Sequence, residues 1–148
     1  GMAGGQAIDL ASVGRTLDLA QLRRMHELKT GALLQASVLM GAACGAGAML
    51  SHAPAWVALA RYGAALGLAF QVVDDILDVT ADSATLGKTA GKDAAHGKPT
   101  YVSLLGLAGA QAQAQQLLTE AQAALEASSL PDTRALAALA EMVVRRSS

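Results

Sequence analysis

Four polar residues, Gln71, Asp74, Asp75 and Asp78, stand close together in an otherwise apolar part of the chain. The surrounding run, residues 54–79, contains no Asn and no Pro after its first position, so we expect it to be helical. Residues three, four and seven apart share one face of a helix. Gln71, Asp74 and Asp78 would therefore form a polar stripe, with Asp75 directly beside it.

The three aspartates are suited to binding a divalent cation. Carboxylates crowded at the end of a buried helix repel one another unless a cation joins them. Hard oxygen ligands, with no nearby thiolate and no His at ligand spacing, favour Mg²⁺. The alternative is a solvated helix end, but the flanking Phe70, Val73, Ile76 and Leu77 leave no wide polar face. The pattern therefore favours a metal site.

Three lysines could complete this site by neutralising an anion that the metal also contacts. They are Lys29, Lys88 and Lys98, and the last two belong to a loop with Gly and Lys over residues 80–99. Lys is a flexible point charge that suits phosphate oxygens. A metal with lysines, and no obvious nucleophile or base, points to diphosphate binding and departure. The alternative is that lysines in a loop are simply solvated.

Helices must position these residues, because the composition disfavours strands. The chain has 148 residues, of which 53% are hydrophobic and 3% aromatic. Ala, Leu and Gly dominate, and few Val, Ile or Thr runs alternate with polar residues. We predict an all-α protein with helices over residues 1–10, 18–30, 31–50, 54–79, 101–108, 111–127 and 131–146.

Individual residues predict where these helices begin, bend and pack. Asp18 is a good N-cap for the second helix, and Gly31 could permit a kink between two helical runs. Pro54 and Pro131 each suit the first turn of a helix. Gly4 and Gly5 weaken the first helix, so their presence suggests close packing against another element.

The charge and the cysteine content exclude several classes of protein. A net charge of −1 gives no electrostatic case for nucleic-acid binding. One cysteine, Cys44, excludes an intrachain disulfide, and we expect a reducing, cytoplasmic compartment. No basic segment followed by an apolar core opens the sequence, so we expect no secretory signal. His26, His52 and His96 lack ligand spacing with one another, and we expect structural or surface roles for them.

One stretch resembles a membrane helix in its charge but not in its composition. Residues 31–50 carry no charge, and Gly41 and Gly45 are spaced as in a membrane dimerisation motif. The stretch is built mainly from Ala and Gly, however, and it contains Gln35 and Ser37. We therefore interpret it as a buried helix in which small residues let two backbones approach closely, and we expect no membrane span.

Five segments of the sequence form a set when they are taken in order. They are Gly-Met-Ala-Gly-Gly-Gln-Ala-Ile-Asp-Leu (1–10), His-Glu-Leu-Lys-Thr-Gly-Ala-Leu (26–33), Gly-Leu-Ala-Phe-Gln-Val-Val-Asp-Asp-Ile-Leu-Asp-Val (67–79), Thr-Leu-Gly-Lys (85–88) and Gly-Lys-Pro-Thr-Tyr (97–101). In order and spacing they resemble the trans-isoprenyl diphosphate synthase (polyprenyl synthetase) family, specifically its bacterial farnesyl diphosphate synthase type. The resemblance covers nearly the whole chain and is far more specific than a single aspartate-rich motif.

The resemblance implies a fold and a reaction. Residues 1–148 would be the C-terminal half of a single domain with the all-helical isoprenoid synthase fold around a large cavity. The implied activity is that of a prenyltransferase: dimethylallyl or geranyl diphosphate ionises, isopentenyl diphosphate attacks the carbocation, and a proton leaves to give farnesyl diphosphate. Mg²⁺ assists in that family, where catalysis rests on electrostatic stabilisation of the departing diphosphate. A homodimer is implied as well.

The resemblance also implies which residues hold the metal and the diphosphate. Asp74 resembles the direct Mg²⁺ ligand of the second aspartate-rich motif of the family. Asp75 and Asp78 resemble its supporting carboxylates. Lys29 and Lys88 look like the lysines that hold the allylic diphosphate. These positions coincide with the residues that spacing and charge had already suggested.

Four further residues gain an implied role from the resemblance. Lys98 would be an additional member of the group of lysines around the diphosphate. Thr30 and Gln71 look like the polar groups beside the reacting carbon. Phe70 would line the cavity that holds the growing chain. The implied site therefore combines charged, polar and apolar parts.

The chain departs from the family pattern in what it lacks. The first aspartate-rich motif is absent, as are the lysine and arginines that bind isopentenyl diphosphate, so we expect this fragment alone to be inactive. Two alternatives stay open: a geranylgeranyl or longer-chain diphosphate synthase, and a non-catalytic helical subunit of such a synthase. Arg145 and Arg146 could close over a bound diphosphate, although an ordinary basic helix end is the simpler interpretation.

Overall fold

The computed structural model describes residues 1–46, 54–80 and 99–146. They form α1 (Met2–Ala11), α2 (Leu19–His26), a π-helical segment (Glu27–Gly31), α3 (Ala32–Ala46), α4 (Pro54–Thr80), α5 (Tyr101–Ala127) and α6 (Arg134–Arg145). No strand occurs in the part of the chain that the structure describes, so the prediction of an all-α protein is confirmed. Lys88 and Lys98, with most of the predicted loop, lie outside the described residues.

Helix α4 is the centre of the fold and is buried on most of its circumference. Tyr62, Val72, Val73 and Ile76 are completely inaccessible to solvent. A helix that is hydrophobic all round is expected inside a core. Within the described residues α4 is the one helix long and apolar enough to cross a membrane, and 61% of its most apolar window is buried in the protein. That burial is typical of the core helix of a globular protein.

Helices α5 and α6 close the core around α4. The buried side chains of α5 recur at helical spacing: Tyr101, Ala110, Ala114, Leu117, Leu118, Ala121, Ala124 and Leu125. Gly106, at φ 71° and ψ 166°, kinks α5. Two helical runs therefore occur here, as predicted, but they meet at Gly106 and not between residues 108 and 111. The Tyr62 hydroxyl donates to the Leu136 carbonyl at 2.8 Å and ties α4 to α6. Burial raises the pKa of Tyr62 to about 12, so this donor stays protonated at neutral pH.

Two helix starts show where local sequence signals succeed and where they fail. Asp18 caps α2 as predicted. Its carboxylate accepts from the backbone N–H of Gln21 at 2.8 Å, and the side-chain carbonyl of Gln21 accepts from the backbone N–H of Asp18 at 3.0 Å. The prediction that Pro131 opens the last helix is wrong, since α6 begins at Arg134. The Asp132 carboxylate accepts from the backbone and the guanidinium of Arg134 and stabilises a turn before the helix.

The helices α3 and α4 meet at a contact that only glycine permits. A β-carbon at Gly67 would lie 2.6 Å from the α-carbon of Gly31, and one at Gly63 would lie 2.8 Å from the α-carbon of Gln35. The Gln35 side-chain amide donates to the Ala60 carbonyl at 2.9 Å beside this contact. The missing side chains therefore let the two backbones approach one another directly.

The far side of α3 is exposed, which corrects the prediction of a buried helix over residues 31–50 for the part that the structure describes, since residues 47–50 lie outside it. Leu33 and Met40 are 56% and 60% exposed. Among the described residues, nothing lies within 4 Å of a β-carbon placed at Gly41 or Gly45. Because α3 is apolar around its whole circumference, the composition could not say which side packs. Of the surface of α3, the part of the chain that the structure describes covers only the side that faces α4.

Replacing Gly67 by Ala is expected to destabilise the fold by about 1–3 kcal/mol, the usual cost of overpacking. The added methyl group must push α4 away from Gly31. Gly41→Ala is the matched control, because a methyl group there meets no neighbour and gains up to about 1 kcal/mol of helix propensity. Urea unfolding of both variants beside the parent protein measures the difference. Equal stabilities for the two variants would contradict the close contact.

Candidate functional site

The π-helical segment Glu27–Gly31 joins α2 to α3 and carries Lys29. Such turns hold one extra residue and are frequent at functional sites. Gly5 of α1 packs on one side of the segment, where a β-carbon would collide with the Lys29 backbone, so the close packing predicted for Gly5 is confirmed. The same prediction is wrong for Gly4, because no described residue lies within 4 Å of a β-carbon placed there. Gly67 packs on the other side, against Gly31. The bend predicted at Gly31 thus takes the form of a π turn held between two glycines.

Lys29 forms an ion pair within the chain. Its ammonium group donates to Asp9 Oδ2 at 2.6 Å, and the two side chains are 30% and 12% exposed. The pair joins the π-helical segment to α1. Lys29 is the more exposed partner, so its ammonium group is more accessible to solvent than the carboxylate of Asp9.

Asp75 points away from the polar stripe of α4 and binds the start of α5. It is 8% exposed, and its Oδ2 accepts a hydrogen bond from the backbone N–H of Tyr101 at 2.7 Å. Tyr101 is the first residue of α5, where backbone N–H groups lack partners within the helix and the helix dipole is positive. Asp75 therefore anchors α5 to α4, a role that the sequence did not indicate.

Asp74 lies where the end of α6 meets α4. Its side chain is 44% exposed, and Arg146 Nη2 donates to its Oδ1 at 3.1 Å. The same guanidinium lies over the ring of Phe70, 4.3 Å from its centroid. Phe70 and Asp74 are one turn apart, so one arginine spans both. Sequence reasoning favoured an ordinary helix end for Arg146, since no local pattern signals a contact between residues 72 positions apart.

Gln71 is held between His26 and Asp74. Its Oε1 lies 2.9 Å from His26 Nδ1, and its Nε2 lies 3.5 Å from Asp74 Oδ2. His26 is the last residue of α2, is 7% exposed and stacks on Tyr101 with ring centroids 5.8 Å apart. Burial raises the pKa of Tyr101 well above its usual range, so the stacked phenol is neutral. His26 is therefore buried, and it contacts Gln71, one of the predicted site residues.

The contact between Gly31 and Gly67 brings the predicted site residues of two elements together. Gly31 follows Thr30 directly, and Gly67 lies one turn before Gln71 on α4. The lysine-bearing segment therefore lies beside the stretch of α4 that carries the aromatic, amide and carboxylate side chains. The two loop lysines lie outside the described residues.

Two of the three aspartates at the end of α4, Asp74 and Asp78, fit a magnesium ion. Asp74 and Asp78 are partly exposed and one turn apart, whereas Asp75 is engaged by the start of α5. Within the described ranges no three Asp, Glu, His or Cys side chains are grouped closely enough to hold a metal ion. Mg²⁺ usually binds one or two carboxylates and takes its other oxygens from water or phosphate. Asp74 and Asp78 meet that requirement.

A cleft of about 650 Å³ lies beside this region and not at it. It opens between the π-helical segment, α3, α4 and α5, and its walls include Arg61, Ala64, Leu68 and Ala124. These α4 residues project from a different side of the helix than the aspartate stripe. The walls also carry the charged side chains of Arg23, Arg24, Glu27 and Glu120. None of the predicted site residues that the structure describes lines this cleft.

The chain has the all-helical isoprenoid synthase fold, with the aspartate-bearing helix α4 at its centre. A Helicobacter pylori geranyltransferase, solved in complex with magnesium and isoprenyl diphosphate, superposes with a TM-score of 0.76 at 36% identity, over 99% of this chain and 46% of that one. The family model for polyprenyl synthetase matches residues 1–138. The chain therefore belongs to the polyprenyl synthetase family.

Two curated relatives share most of this chain. The farnesyl diphosphate synthase of Escherichia coli is 45% identical over 99% of this chain and 48% of its own length. A Bradyrhizobium diazoefficiens protein named "Probable farnesyl diphosphate synthase" is 54% identical over 84% of this chain and 38% of its own length. The chain thus spans about half, or less, of the curated relatives that it matches.

Asp75→Ala is expected to destabilise the fold by about 1–3 kcal/mol, because it leaves the buried Tyr101 N–H without an acceptor. Asp75→Asn keeps an oxygen acceptor and should restore most of that loss. Hydrogen exchange of the Tyr101 amide provides a local readout and should accelerate in the alanine variant only. Asp78→Ala, one turn along the same helix, is the control and should leave that amide protected. Unchanged exchange in Asp75→Ala would disprove the anchor.

Proposed function

We propose that this chain is part of a prenyltransferase that condenses isopentenyl diphosphate with dimethylallyl or geranyl diphosphate to make farnesyl diphosphate. Membership of the family and the names of both curated relatives support this activity. The observation that carries the proposal is the contact of Gly31 with Gly67, which packs the lysine-bearing segment on α4 two turns before Asp74. Carboxylates and a lysine on adjacent backbones suit joint binding of a cation and a diphosphate.

In this proposal charged side chains of the chain hold both the metal and the diphosphate. Asp74 and Asp78 would hold Mg²⁺, whose positive charge stabilises the diphosphate as it departs. Lys29, together with Lys88 and Lys98, would neutralise the phosphate oxygens. The related Helicobacter pylori geranyltransferase was solved with magnesium and isoprenyl diphosphate, and this supports the choice of these two ligands.

The remaining side chains would act on the reacting carbon of the allylic diphosphate, dimethylallyl or geranyl diphosphate. The bond between this carbon and the diphosphate oxygen breaks, the diphosphate leaves with the electron pair, and the carbon becomes a carbocation. The double bond of isopentenyl diphosphate then supplies electrons for the new carbon–carbon bond, and a proton is lost. Thr30 and Gln71 would lie beside the carbocation, and Phe70 would form an apolar wall next to it. Preorganised charges and dipoles of this kind are usually the largest contribution to catalysis.

We also propose that the rest of the active site comes from polypeptide outside residues 1–148, which would form the C-terminal half of a single domain. The chain spans 38% and 48% of the two curated relatives, and the sequence contains one aspartate-rich motif. The isopentenyl diphosphate subsite and the residues that limit product length would then lie elsewhere. This chain alone should not turn over. The complete enzyme would be a cytoplasmic homodimer, and a geranylgeranyl or longer product is the alternative.

A non-catalytic helical subunit is the second candidate function. The ion pair between Arg146 and Asp74 favours it, because a carboxylate neutralised by the protein's own cation can serve packing without a metal. The two candidates differ in what they require of Asp74. Catalysis needs diphosphate binding that depends on Mg²⁺ and on this carboxylate, whereas a structural subunit needs neither.

Asp74→Asn tests the proposed function in the full-length protein. Turnover of geranyl and isopentenyl diphosphate should fall by about 10²–10³-fold, because the cation that stabilises the leaving group is lost. Mg²⁺-dependent diphosphate binding, measured by calorimetry, should weaken in parallel. Asp132→Asn is the matched control, since that exposed aspartate pairs with Arg134 on the surface. If Asp74→Asn binds and turns over like the control, the site assignment is wrong.

Arg146→Ala is expected to tighten Mg²⁺ binding by up to about 5-fold. The substitution removes the cation that occupies Asp74, and an exposed ion pair is worth roughly 0.2–1 kcal/mol. Arg145→Ala is the control, because Arg145 pairs with Glu141 on the same helix at 3.2 Å. Calorimetric titration with Mg²⁺, without substrate, compares the two variants. Weaker binding in Arg146→Ala would mean that the arginine does not compete with the metal.

A further inference from the structure

We propose that His26 is a positioning residue that sets the orientation of Asp74 through Gln71. In this arrangement His26 Nδ1–H donates to the Gln71 carbonyl, and the Gln71 NH₂ group is thereby directed at Asp74 Oδ2. The catalytic consequence rests on the function proposed above. The side-chain arrangement itself does not, and it can be tested without substrate.

The position of His26 gives its ring little freedom to turn. The residue is 7% exposed and ends α2, immediately before the π-helical segment. Its ring stacks on Tyr101 with centroids 5.8 Å apart and planes inclined by 24°. Close-packed interiors hold side chains in single rotamers. Nδ1 therefore remains directed at Gln71 Oε1, 2.9 Å away.

Hydrogen-bond polarity determines which group donates along this chain of contacts. The carboxylate of Asp74 only accepts hydrogen bonds, so Gln71 must direct its NH₂ group at it. Gln71 then has only its carbonyl to offer His26, and His26 must donate from Nδ1. The reversed amide would place the Gln71 carbonyl against the Asp74 carboxylate, where two negative ends repel. The neutral ring of His26 is accordingly the Nδ1–H tautomer.

The two oxygens of Asp74 are engaged from different sides. Gln71 Nε2 approaches Oδ2 at 3.5 Å, and Arg146 Nη2 contacts Oδ1 at 3.1 Å. The first contact is longer than the second, so it restrains the carboxylate more weakly than the arginine does. It leaves Oδ1 on the side where a cation, either the guanidinium or a metal ion, reaches Asp74. Residues that orient ligands in this way typically change metal affinity or activity by about 10–100-fold.

His26→Phe and His26→Asn form a matched pair that separates the donor from the ring. Phe keeps the stacking on Tyr101 but has no donor, whereas the side-chain amide of Asn can replace Nδ1–H. In the full-length protein, Mg²⁺ affinity measured by calorimetry should fall by about 10-fold in His26→Phe. In His26→Asn the Mg²⁺ affinity should stay within about 3-fold of the parent, which is well below the roughly 10–100-fold typical of a lost orienting contact. Equal Mg²⁺ affinity in His26→Phe and the parent would overturn the proposal.

Kinetics provide a second readout that a merely structural role would not give. The loss of turnover in His26→Phe should be recovered by raising the Mg²⁺ concentration, because the defect lies in cation binding. A loss that persists at saturating Mg²⁺ would argue against a role through Asp74. If the parent enzyme itself turns over no prenyl diphosphate, the proposed function fails, and the Mg²⁺ titration still decides the role of His26.

A measurement on the parent protein keeps the proposal testable even if a variant folds poorly. The ¹⁵N chemical shifts of the His26 ring report directly which nitrogen carries the proton. We expect protonated Nδ1 in the neutral ring, with the signal assigned by its absence from His26→Asn. A ring with the proton on Nε2 and a bare Nδ1 would overturn the proposal, because Gln71 would then direct its carbonyl at Asp74.

Discussion

Two glycines hold the backbone of Glu27–Gly31 against its neighbours, and the arrangement of the candidate site depends on these contacts. A β-carbon at Gly5 would collide with the Lys29 backbone, and one at Gly67 would lie 2.6 Å from the α-carbon of Gly31. Backbones in direct contact leave no flexible side chain to absorb a displacement. Since α4 is the buried centre of the fold, it fixes the position of the lysine-bearing segment relative to the aspartates.

Polar contacts around this point join the same elements that the apolar core packs together, and they tie α1 to them as well. Lys29 binds Asp9 of α1 at 2.6 Å, and Asp75 accepts from the first N–H of α5 at 2.7 Å. Asp74 receives Arg146 from the end of α6 at 3.1 Å. Each acid therefore interacts with a donor from a different part of the chain. Charged hydrogen bonds of this kind are directional, so they select one arrangement of helices that dispersion forces alone would not distinguish.

The sequence predicts the helices of this fold better than it predicts which other elements each helix contacts. Helical spacing placed Gln71, Asp74 and Asp78 on one stripe with Asp75 beside it, and the structure differs only in what lies next to each residue. Asp75 binds α5 because that helix begins against it, which the intervening residues do not encode locally. The exposure of α3 likewise depends on where α4 lies, since α3 has no polar face of its own. Local patterns determine helices, whereas their partners are a property of the whole packed chain.

The same ion pairs suggest how one site can accept both a cation and a dianion. A metal ion at Asp74 would displace Arg146, and a diphosphate would then find this guanidinium and Lys29 as partners. The metal ion would replace Arg146 as the partner of Asp74, and the diphosphate would replace Asp74 as the partner of Arg146. Binding of either ligand should therefore favour binding of the other, and linkage makes this coupling reciprocal. Asp75 is buried and bonded to the start of α5, so it stays outside the exchange. The chain can therefore change the partners of Asp74 without loosening the helix that Asp75 anchors.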